Sequence, residues 1–137
     1  MTTLFNCLQP AQKLRISVSD IAQLLKIPQH LIVRVECWAY VVFVHRRDVG
    51  GQFISYRKLE QWKNAVACQI QKCSAIPQLQ KLWLDIIKDC RKYKKQYETG
   101  SRQFFRKIRL QRWEFLRQKL RQNPELIAPY PESEEIW

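Results

Sequence analysis

Two short strand-like runs on either side of a turn sequence constrain the fold of this chain most. Residues 40–45 and 52–56 are rich in β-branched and aromatic side chains, and the segment between them contains Asp48, Gly50 and Gly51. Asp and paired glycines are typical of the tight connections in β-hairpins. The sequence therefore predicts one β-hairpin, around which the rest of the chain has to pack.

Helical patterns dominate the remainder of the chain. Ser17 and Asp20 have the spacing of a capping box, and Ile16 and Ile21 have that of a hydrophobic staple, so a short helix is predicted over residues 18–26. Apolar stripes and terminal signals predict three longer helices, which cover residues 57–73, 78–97 and 101–122. The predicted fold class is mainly α with a small β-hairpin.

The segment that joins the first helix to the hairpin supports two interpretations. Residues 29–38 form a helix if Leu31, Ile32 and Val35 share a buried face. The same segment also alternates apolar and polar side chains from Val33 onward, and its β-branched residues favour a strand over a helix. Both interpretations remain open from the sequence alone.

The charge of the chain is large and uneven. The 137 residues include 24 Lys and Arg against 12 Asp and Glu, a formal net charge of +12. Residues 101–122 alone hold eight bases and one acid, whereas residues 124–137 hold four acids and no base. Like charge at this density destabilises a folded chain unless a polyanion relieves it, and nucleic acid is the commonest such partner.

Membrane, metal-binding and catalytic functions have no motif in this sequence. No apolar run is long enough to span a bilayer, and the first ten residues do not resemble a secretory signal. The five cysteines are odd in number and lack metal-ligand spacing, and no catalytic triad or phosphate-binding glycine loop is recognisable. Asp85 and Asp89 lie one helical turn apart and are expected to form ion pairs rather than a metal site. We therefore expect a cytoplasmic protein that is not an enzyme and has no cofactor.

The order of the predicted elements points to DNA binding. If residues 29–38 are helical, residues 16–73 run helix, turn, helix, hairpin, helix, which is the order of a winged helix-turn-helix. In such a domain the second helix enters the major groove and the hairpin forms a wing. Arg46 and Arg47 would lie at the tip of that wing, where guanidinium groups suit phosphate contact.

Two segments resemble a known family. Residues 17–28 are similar to the opening helix and turn of MerR-type and excisionase-like winged helix-turn-helix regulators, and residues 51–62 are similar to their second wing strand and following helix. The resemblance implies a DNA-binding repressor whose long helix after the winged domain joins two copies. The chain accordingly divides into a winged helix-turn-helix domain at residues 14–76, a helical dimerisation and basic region at 77–123, and an acidic tail at 124–137.

Candidate residues follow from this division. Base contacts are expected from the second helix, wing contacts from the hairpin, and phosphate contacts from the start of the next helix. The seven candidate DNA-binding residues are Gln29, His30, Arg34, Arg46, Arg47, Arg57 and Lys58. The homodimer is expected to form through the apolar stripe of the long helix, at Leu79, Leu82, Trp83, Ile86, Ile87 and Cys90.

The preferred prediction is a sequence-specific transcriptional repressor that binds double-stranded operator DNA as a homodimer. It would be associated with the nucleoid and would lack a ligand-sensing domain. Two alternatives remain. One is a non-sequence-specific RNA-binding or nucleoprotein assembly factor that uses residues 88–121 as its binding surface. The other is a helical adaptor for protein interactions.

Overall fold

A computed structural model of the protein describes residues 1–122, and the acidic tail predicted at residues 124–137 lies outside them. The helices in the described part are α1 Thr3–Leu8, α2 Pro10–Lys13, α3 Val18–Leu25, α4 Glu60–Gln71, α5 Ile76–Lys92 and α6 Ser101–Gln122. The strands are β1 Ile32–Cys37, β2 Val42–Arg46 and β3 Gly50–Ile54. Single 3-10 turns occupy Gln29–Leu31, Tyr56–Lys58 and Lys94–Gln96. The fold is thus mainly helical with a small antiparallel sheet.

The predicted hairpin is formed by β2 and β3. Val42 pairs with Ile54 and Phe43 pairs with Phe53 across the two strands. The connection ends at Gly50, whose φ of +83° lies in the left-handed region that favours glycine. Because side chains alternate along a strand, Val42 and Ile54 are buried in the core, whereas the two Phe residues lie on the opposite face of the sheet.

The strand interpretation of residues 29–38 is the one found in the structure. After the single turn Gln29–Leu31, the chain continues as β1, which pairs antiparallel with β2. Its β-branched side chains suit a strand, and β2 offers the backbone partners that an isolated segment lacks. The helical interpretation is therefore wrong. Since the second helix is reduced to one 3-10 turn, the structure does not confirm a winged helix-turn-helix.

The capping box of the first predicted helix is confirmed in α3. The backbone N–H of Asp20 donates to Ser17 Oγ at 3.1 Å, and the Ser17 N–H donates to Asp20 Oδ2 at 2.8 Å. These hydrogen bonds from Ser17 lower the pKa of the Asp20 carboxyl below its ordinary value. Together the two residues satisfy backbone groups that the first helical turn cannot pair internally.

The first helix of the chain was not predicted. In α1, Leu4, Phe5 and Leu8 are buried, and the helix packs against α5. The Phe5 ring lies 5.7 Å from the Trp62 ring, centroid to centroid, so α1 contributes directly to the centre of the core. A six-residue helix is too short to display a convincing period, which explains why the sequence pattern does not reveal it.

The apolar stripe of α5 faces the inside of the protomer. Of the six residues expected to hold a homodimer, Leu79, Trp83, Ile86 and Cys90 are buried in the single chain, and Leu82 and Ile87 are partly buried. The partners of this stripe are α1 and α6. One cluster of buried side chains runs from Leu4 to Leu116 and includes residues from both predicted domains. A dimer through the stripe would require this core to open, so the stripe is corrected from a dimer contact to a core element.

Candidate nucleic-acid interface

Arg57, expected to contact phosphate, is a core residue instead. Its Nε and Nη2 donate to the two carboxylate oxygens of Asp89, each at 2.7 Å, and its side chain is only 2% exposed. The Thr2 and Tyr97 hydroxyls donate to the same carboxylate. Burial alone would raise the pKa of Asp89, but the hydrogen bonds from Arg57, Thr2 and Tyr97 hold it below its ordinary value. This buried ion pair is unavailable to a ligand, and the predicted phosphate contact by Arg57 is wrong.

Lys58 lies next to the end of α5. Its Nζ donates to the carbonyl oxygen of Lys95 at 3.1 Å, and Ser55 Oγ donates to Gln96 Oε1 at 2.6 Å. These two bonds attach the end of β3 and the turn Tyr56–Lys58 to the turn Lys94–Gln96. The Lys58 ammonium therefore lies beside the turn that follows α5 rather than beside the hairpin tip.

Four other candidates come together at one end of the sheet. The Arg47 Nε donates to the His30 carbonyl at 3.1 Å, and the Arg46 guanidinium forms a salt bridge with Asp48 at 2.7 Å. The hydrogen bond with Asp48 raises the pKa of Arg46, which means that its charge is already paired within the turn. Gln29, His30 and Arg47 are exposed. This end of the sheet offers Arg47 to a ligand more readily than Arg46.

Arg34 is separate from that group and lies on the face of the sheet that points away from the core. It sits opposite His45 on β2, and its Nε donates to Glu36 Oε2 at 2.6 Å. The pair is exposed, with side-chain exposures of 60% and 42%. Exposed ion pairs contribute little to stability, so this one mainly fixes where the two side chains point.

A cleft between the end of α5 and the start of α6 is lined by bases from both helices and from the turn between them. The pattern of either helix alone does not predict that these bases lie close together. We call this cleft the basic cleft and define it by Arg91, Lys94, Arg102 and Arg106. Its larger part encloses about 420 Å³ and is lined by Lys94, Arg102 and Arg106; a smaller part of about 120 Å³ adds Arg91. Glu98 is the one acid among the described residues that line either part. All four bases are exposed.

The chain path explains why these bases meet. Arg91 is in the last turn of α5 and Lys94 is in the 3-10 turn that follows, while Gly100, with φ of +95°, reverses the chain into α6. Arg102 and Arg106 are four residues apart and therefore share one face of α6. The partial positive charge at the N-terminus of α6 adds to theirs. None of these bases takes part in a salt bridge within residues 1–122.

Several other bases of α6 are used inside the fold. Arg109 is buried with its guanidinium 5.3 Å from the Trp83 ring centroid, and the Arg112 Nε donates to the Cys73 carbonyl at 2.8 Å. The Arg117 guanidinium lies 4.9 Å from the Trp113 ring centroid. The first two arginines of α6, Arg102 and Arg106, therefore line the basic cleft, whereas several of the later bases make structural contacts within the fold.

A cluster of three aromatic rings, two of them exposed, is the second surface of interest. The aromatic cluster comprises Trp38, Phe43 and Phe53 on the outer face of the sheet, with ring centroids 5.2 to 5.6 Å apart. Trp38 is 44% exposed and Phe53 is 60% exposed. Sequence reasoning missed this cluster, although the alternation of Val42, Phe43 and Val44 marks Phe43 as outward-facing once β2 is placed.

The described residues hold few features of other functional classes. No helix within residues 1–122 has the length and hydropathy of a membrane-spanning segment. The same residues contain no cluster of three or more side chains of the metal-ligating types. All five cysteines are free thiols, and burial raises the pKa of Cys90 to about 11.

No protein-family model, curated protein or solved structure matches the chain. The function is therefore inferred from the chemistry of the two surfaces just described, the basic cleft and the outer face of the sheet.

Proposed function

We propose that this protein binds nucleic acid and holds its phosphate backbone in the basic cleft. The observation that carries the proposal is the convergence of four exposed cations on one cleft whose described lining contains a single acid, Glu98. Arginine suits this role because its planar guanidinium makes two parallel hydrogen bonds to phosphate oxygens.

The electrostatics of the cleft favour an anionic ligand. Arg102 and Arg106 repel each other across one turn of α6, and both lie near the positive end of the helix dipole. Each such repulsion costs only a few tenths of a kcal/mol in an isolated helix, but Glu98 is the one acid among the described residues that line the cleft, and the net charge of the chain is +12. A bound phosphate removes the repulsion and releases counterions from the nucleic acid, which drives association.

An extended polyanion fits the arrangement better than a single anion. The cleft draws its bases from α5, from the turn Lys94–Gln96 and from α6, and the same three segments carry further exposed bases at Lys88, Lys92, Lys95 and Lys107. A nucleic-acid strand presents one charge every few ångströms along its length and can engage such a row of cations in succession. This proposal corresponds to the alternative of a non-sequence-specific RNA-binding or nucleoprotein assembly factor that binds through residues 88–121. It restricts the binding surface to the bases of that segment that face solvent.

The test compares a variant that lacks two positive charges in the cleft with a control variant that lacks two positive charges elsewhere on the surface. The variant Arg102→Gln/Arg106→Gln should bind a labelled oligonucleotide more weakly, and the slope of log K against log salt should become shallower by about 1.5, since each lost phosphate contact removes roughly 0.7–0.9. The matched control is Lys13→Gln/Lys72→Gln, which loses the same charge at exposed positions outside the cleft.

The control separates local contact from general attraction. If binding depends only on net charge, both double variants will lose the same affinity, and the assignment of the cleft is refuted. If neither variant changes binding, phosphate is not held here. Urea denaturation of both variants checks that the fold is intact.

A sequence-specific DNA regulator is a second candidate, and one observation favours it. Gln29, His30 and Arg47 are exposed together at the hairpin end of the sheet, where a strand pair can enter a major groove. Selection of bound sites from random duplex DNA tests this candidate. A defined palindrome would support a repressor that acts by occupying its operator as a homodimer, formed through a surface other than the α5 stripe. Absence of any enriched site would contradict it.

A further inference from the structure

The aromatic cluster is held in place by its surroundings. Phe43 and Phe53 are direct partners across β2 and β3, and the Trp38 ring is stacked on Phe43 with an interplanar angle of 14°. The Phe43 ring lies over Gly51, where a β-carbon would come within 2.9 Å of its Cε1 atom. The Trp38 carbonyl accepts a hydrogen bond from the Tyr56 hydroxyl at 2.6 Å. The rings are thus ordered by the sheet rather than left as loose surface side chains.

This order is achieved while much of the ring surface stays in water. A Phe that is 60% exposed contributes little of the stabilisation that its burial would provide. Contiguous exposed apolar groups with a polar border are typical of binding surfaces. The rings therefore provide a preformed apolar surface on a strongly basic protein, with Phe53 set edge-on to the stacked pair Trp38 and Phe43.

We infer that the aromatic cluster is a stacking site for unpaired bases of a nucleic-acid strand whose backbone lies in the basic cleft, an inference that rests on the proposed function. Proteins that hold single strands combine a basic groove for the backbone with aromatic rings on which bases stack. Every base has a π-face, so such a site accepts different sequences. A duplex keeps its bases stacked inside and cannot use the cluster in this way.

The two surfaces are connected at one end of the sheet. Phe53 lies two residues before Ser55, whose hydroxyl is hydrogen-bonded to Gln96 in the same turn that carries Lys94 and Lys95. The turn that carries Lys94 and Lys95 is therefore attached to the end of β3 that bears Phe53. The bases of this turn and the net charge of +12 suit a polyanionic strand as the occupant.

Hydrogen-bonding groups border the rings. The Glu36 carboxylate accepts from Arg34 Nε at 2.6 Å and from Trp38 Nε1 at 3.3 Å, which places an anionic acceptor and a guanidinium beside the stack. Carboxylates accept from the amino groups of bases, and guanidinium groups donate to base carbonyl and ring-nitrogen acceptors. A base stacked on the cluster therefore finds partners of both kinds.

A second copy of the chain is a less suitable occupant of the same face. Each copy carries a net charge of +12, so pairing two copies brings like charges together and has to overcome their repulsion. With a nucleic-acid strand the electrostatic interaction is attractive instead, and binding becomes more favourable as the positive charge of the protein increases.

The test compares strands that share a backbone but differ in bases. Affinity is measured by fluorescence anisotropy for an oligothymidine strand, for an abasic strand of equal length and for the corresponding duplex. The variant Phe53→Ala should weaken oligothymidine binding about 5-fold to 150-fold, the range observed when stacking residues are removed, and should leave abasic and duplex binding unchanged. Phe53→Tyr should retain oligothymidine binding within about 2-fold, because the ring is kept.

The matched control is Val49→Ala, which truncates another apolar side chain of the same hairpin at 64% exposure. It should leave binding of all three ligands unchanged. Urea denaturation confirms that both alanine variants fold, so that a loss of binding is not a loss of structure.

The remaining outcomes overturn the inference. An equal loss of abasic-strand binding in Phe53→Ala would place the effect on the backbone rather than on the bases. No loss of binding in Phe53→Ala, while the cleft variant Arg102→Gln/Arg106→Gln still binds more weakly, would refute stacking and leave the proposed function standing. A homodimer that Phe53→Ala converts to a monomer without changing strand binding would identify a second copy as the occupant. Failure of the unmodified protein to bind any strand would refute both proposals.

Discussion

The buried ion pair between Arg57 and Asp89 allows the sharpest test of the fold. The perturbation is Asp89→Asn, which keeps the size of the side chain and removes its charge. Asp89 is completely buried and is the acceptor for Arg57, Thr2 and Tyr97. The substitution therefore leaves a buried guanidinium without its counterion and introduces an amide that donates toward other donors.

The expected cost is large for a single substitution. Breaking one partner of a buried ion pair typically destabilises a protein by about 3–5 kcal/mol, out of a total of about 5–15 kcal/mol. The Tyr93 ring, with its centroid 3.8 Å from the Arg57 guanidinium carbon, still stabilises the cation, and Asn retains one acceptor oxygen. We therefore expect a decrease of about 3 kcal/mol in the free energy of unfolding, at the lower end of that range.

Urea denaturation followed by tryptophan fluorescence measures this difference, since Trp62 donates to Tyr97 within the same network. The control is Asp85→Asn, one turn earlier on α5, where the side chain is only partly buried and takes part in no salt bridge within residues 1–122. It should change stability by no more than about 0.5 kcal/mol. Equal effects of the two substitutions would refute the buried pair and would return Arg57 to the list of candidate ligand contacts.

The same pair predicts a dependence on pH. The folded protein holds the pKa of Asp89 below its ordinary value, so its contribution to stability is complete above about pH 4 and is lost as the pH falls through the folded-state pKa. The stability difference between the unmodified protein and Asp89→Asn should therefore shrink below about pH 4. A difference that stays constant down to pH 2 would contradict this assignment.

Two further substitutions test the core and the sheet. Ile86→Lys should unfold the protein, because the side chain is buried between helices, whereas Leu84→Lys on the exposed side of α5 should be tolerated within about 0.5 kcal/mol. A folded Ile86→Lys would contradict the burial of the stripe, and a folded monomer from a dimeric unmodified protein would make the stripe a dimer contact. Gly51→Ala should displace the Phe43 ring, lower stability by about 1–3 kcal/mol and change the near-ultraviolet circular dichroism, and an unchanged spectrum would contradict the packing of that ring on Gly51.

Local signals explain which elements could be predicted from the sequence. The Ser17–Asp20 capping box located α3, the turn residues before Gly51 located the hairpin, and the long periodic segment 101–122 coincides with α6. Each of these depends on residues close together in the chain. Such signals do not require knowledge of the partner against which the element packs.

The features that the sequence left open or missed depend on contacts between elements. The strand interpretation of residues 29–38 depends on pairing with β2, and the two partners of the buried ion pair, Arg57 and Asp89, are 32 residues apart. An arginine after a strand has the same appearance in a sequence whether it meets solvent or a buried carboxylate. For this reason the sequence could not separate Arg57 from exposed bases such as Arg47.

The candidate interface could be predicted only in part. The charge run at residues 88–121 contains the four bases of the basic cleft, but the internal use of Arg109 and Arg112 appears only when α6 is packed against its neighbours. The aromatic cluster requires the pairing of Phe43 with Phe53, which depends on the register of the hairpin. Composition predicted a basic surface, whereas the fold determines which bases remain available on it.

The salt dependence of oligonucleotide binding by the unmodified protein is the most direct measure of phosphate contact in the basic cleft. Four phosphate contacts in the basic cleft predict that log K falls linearly with log salt concentration, with a slope of about −3 for a single strand. A slope near zero would show that charge contacts do not hold the ligand and would contradict nucleic-acid binding through the basic cleft.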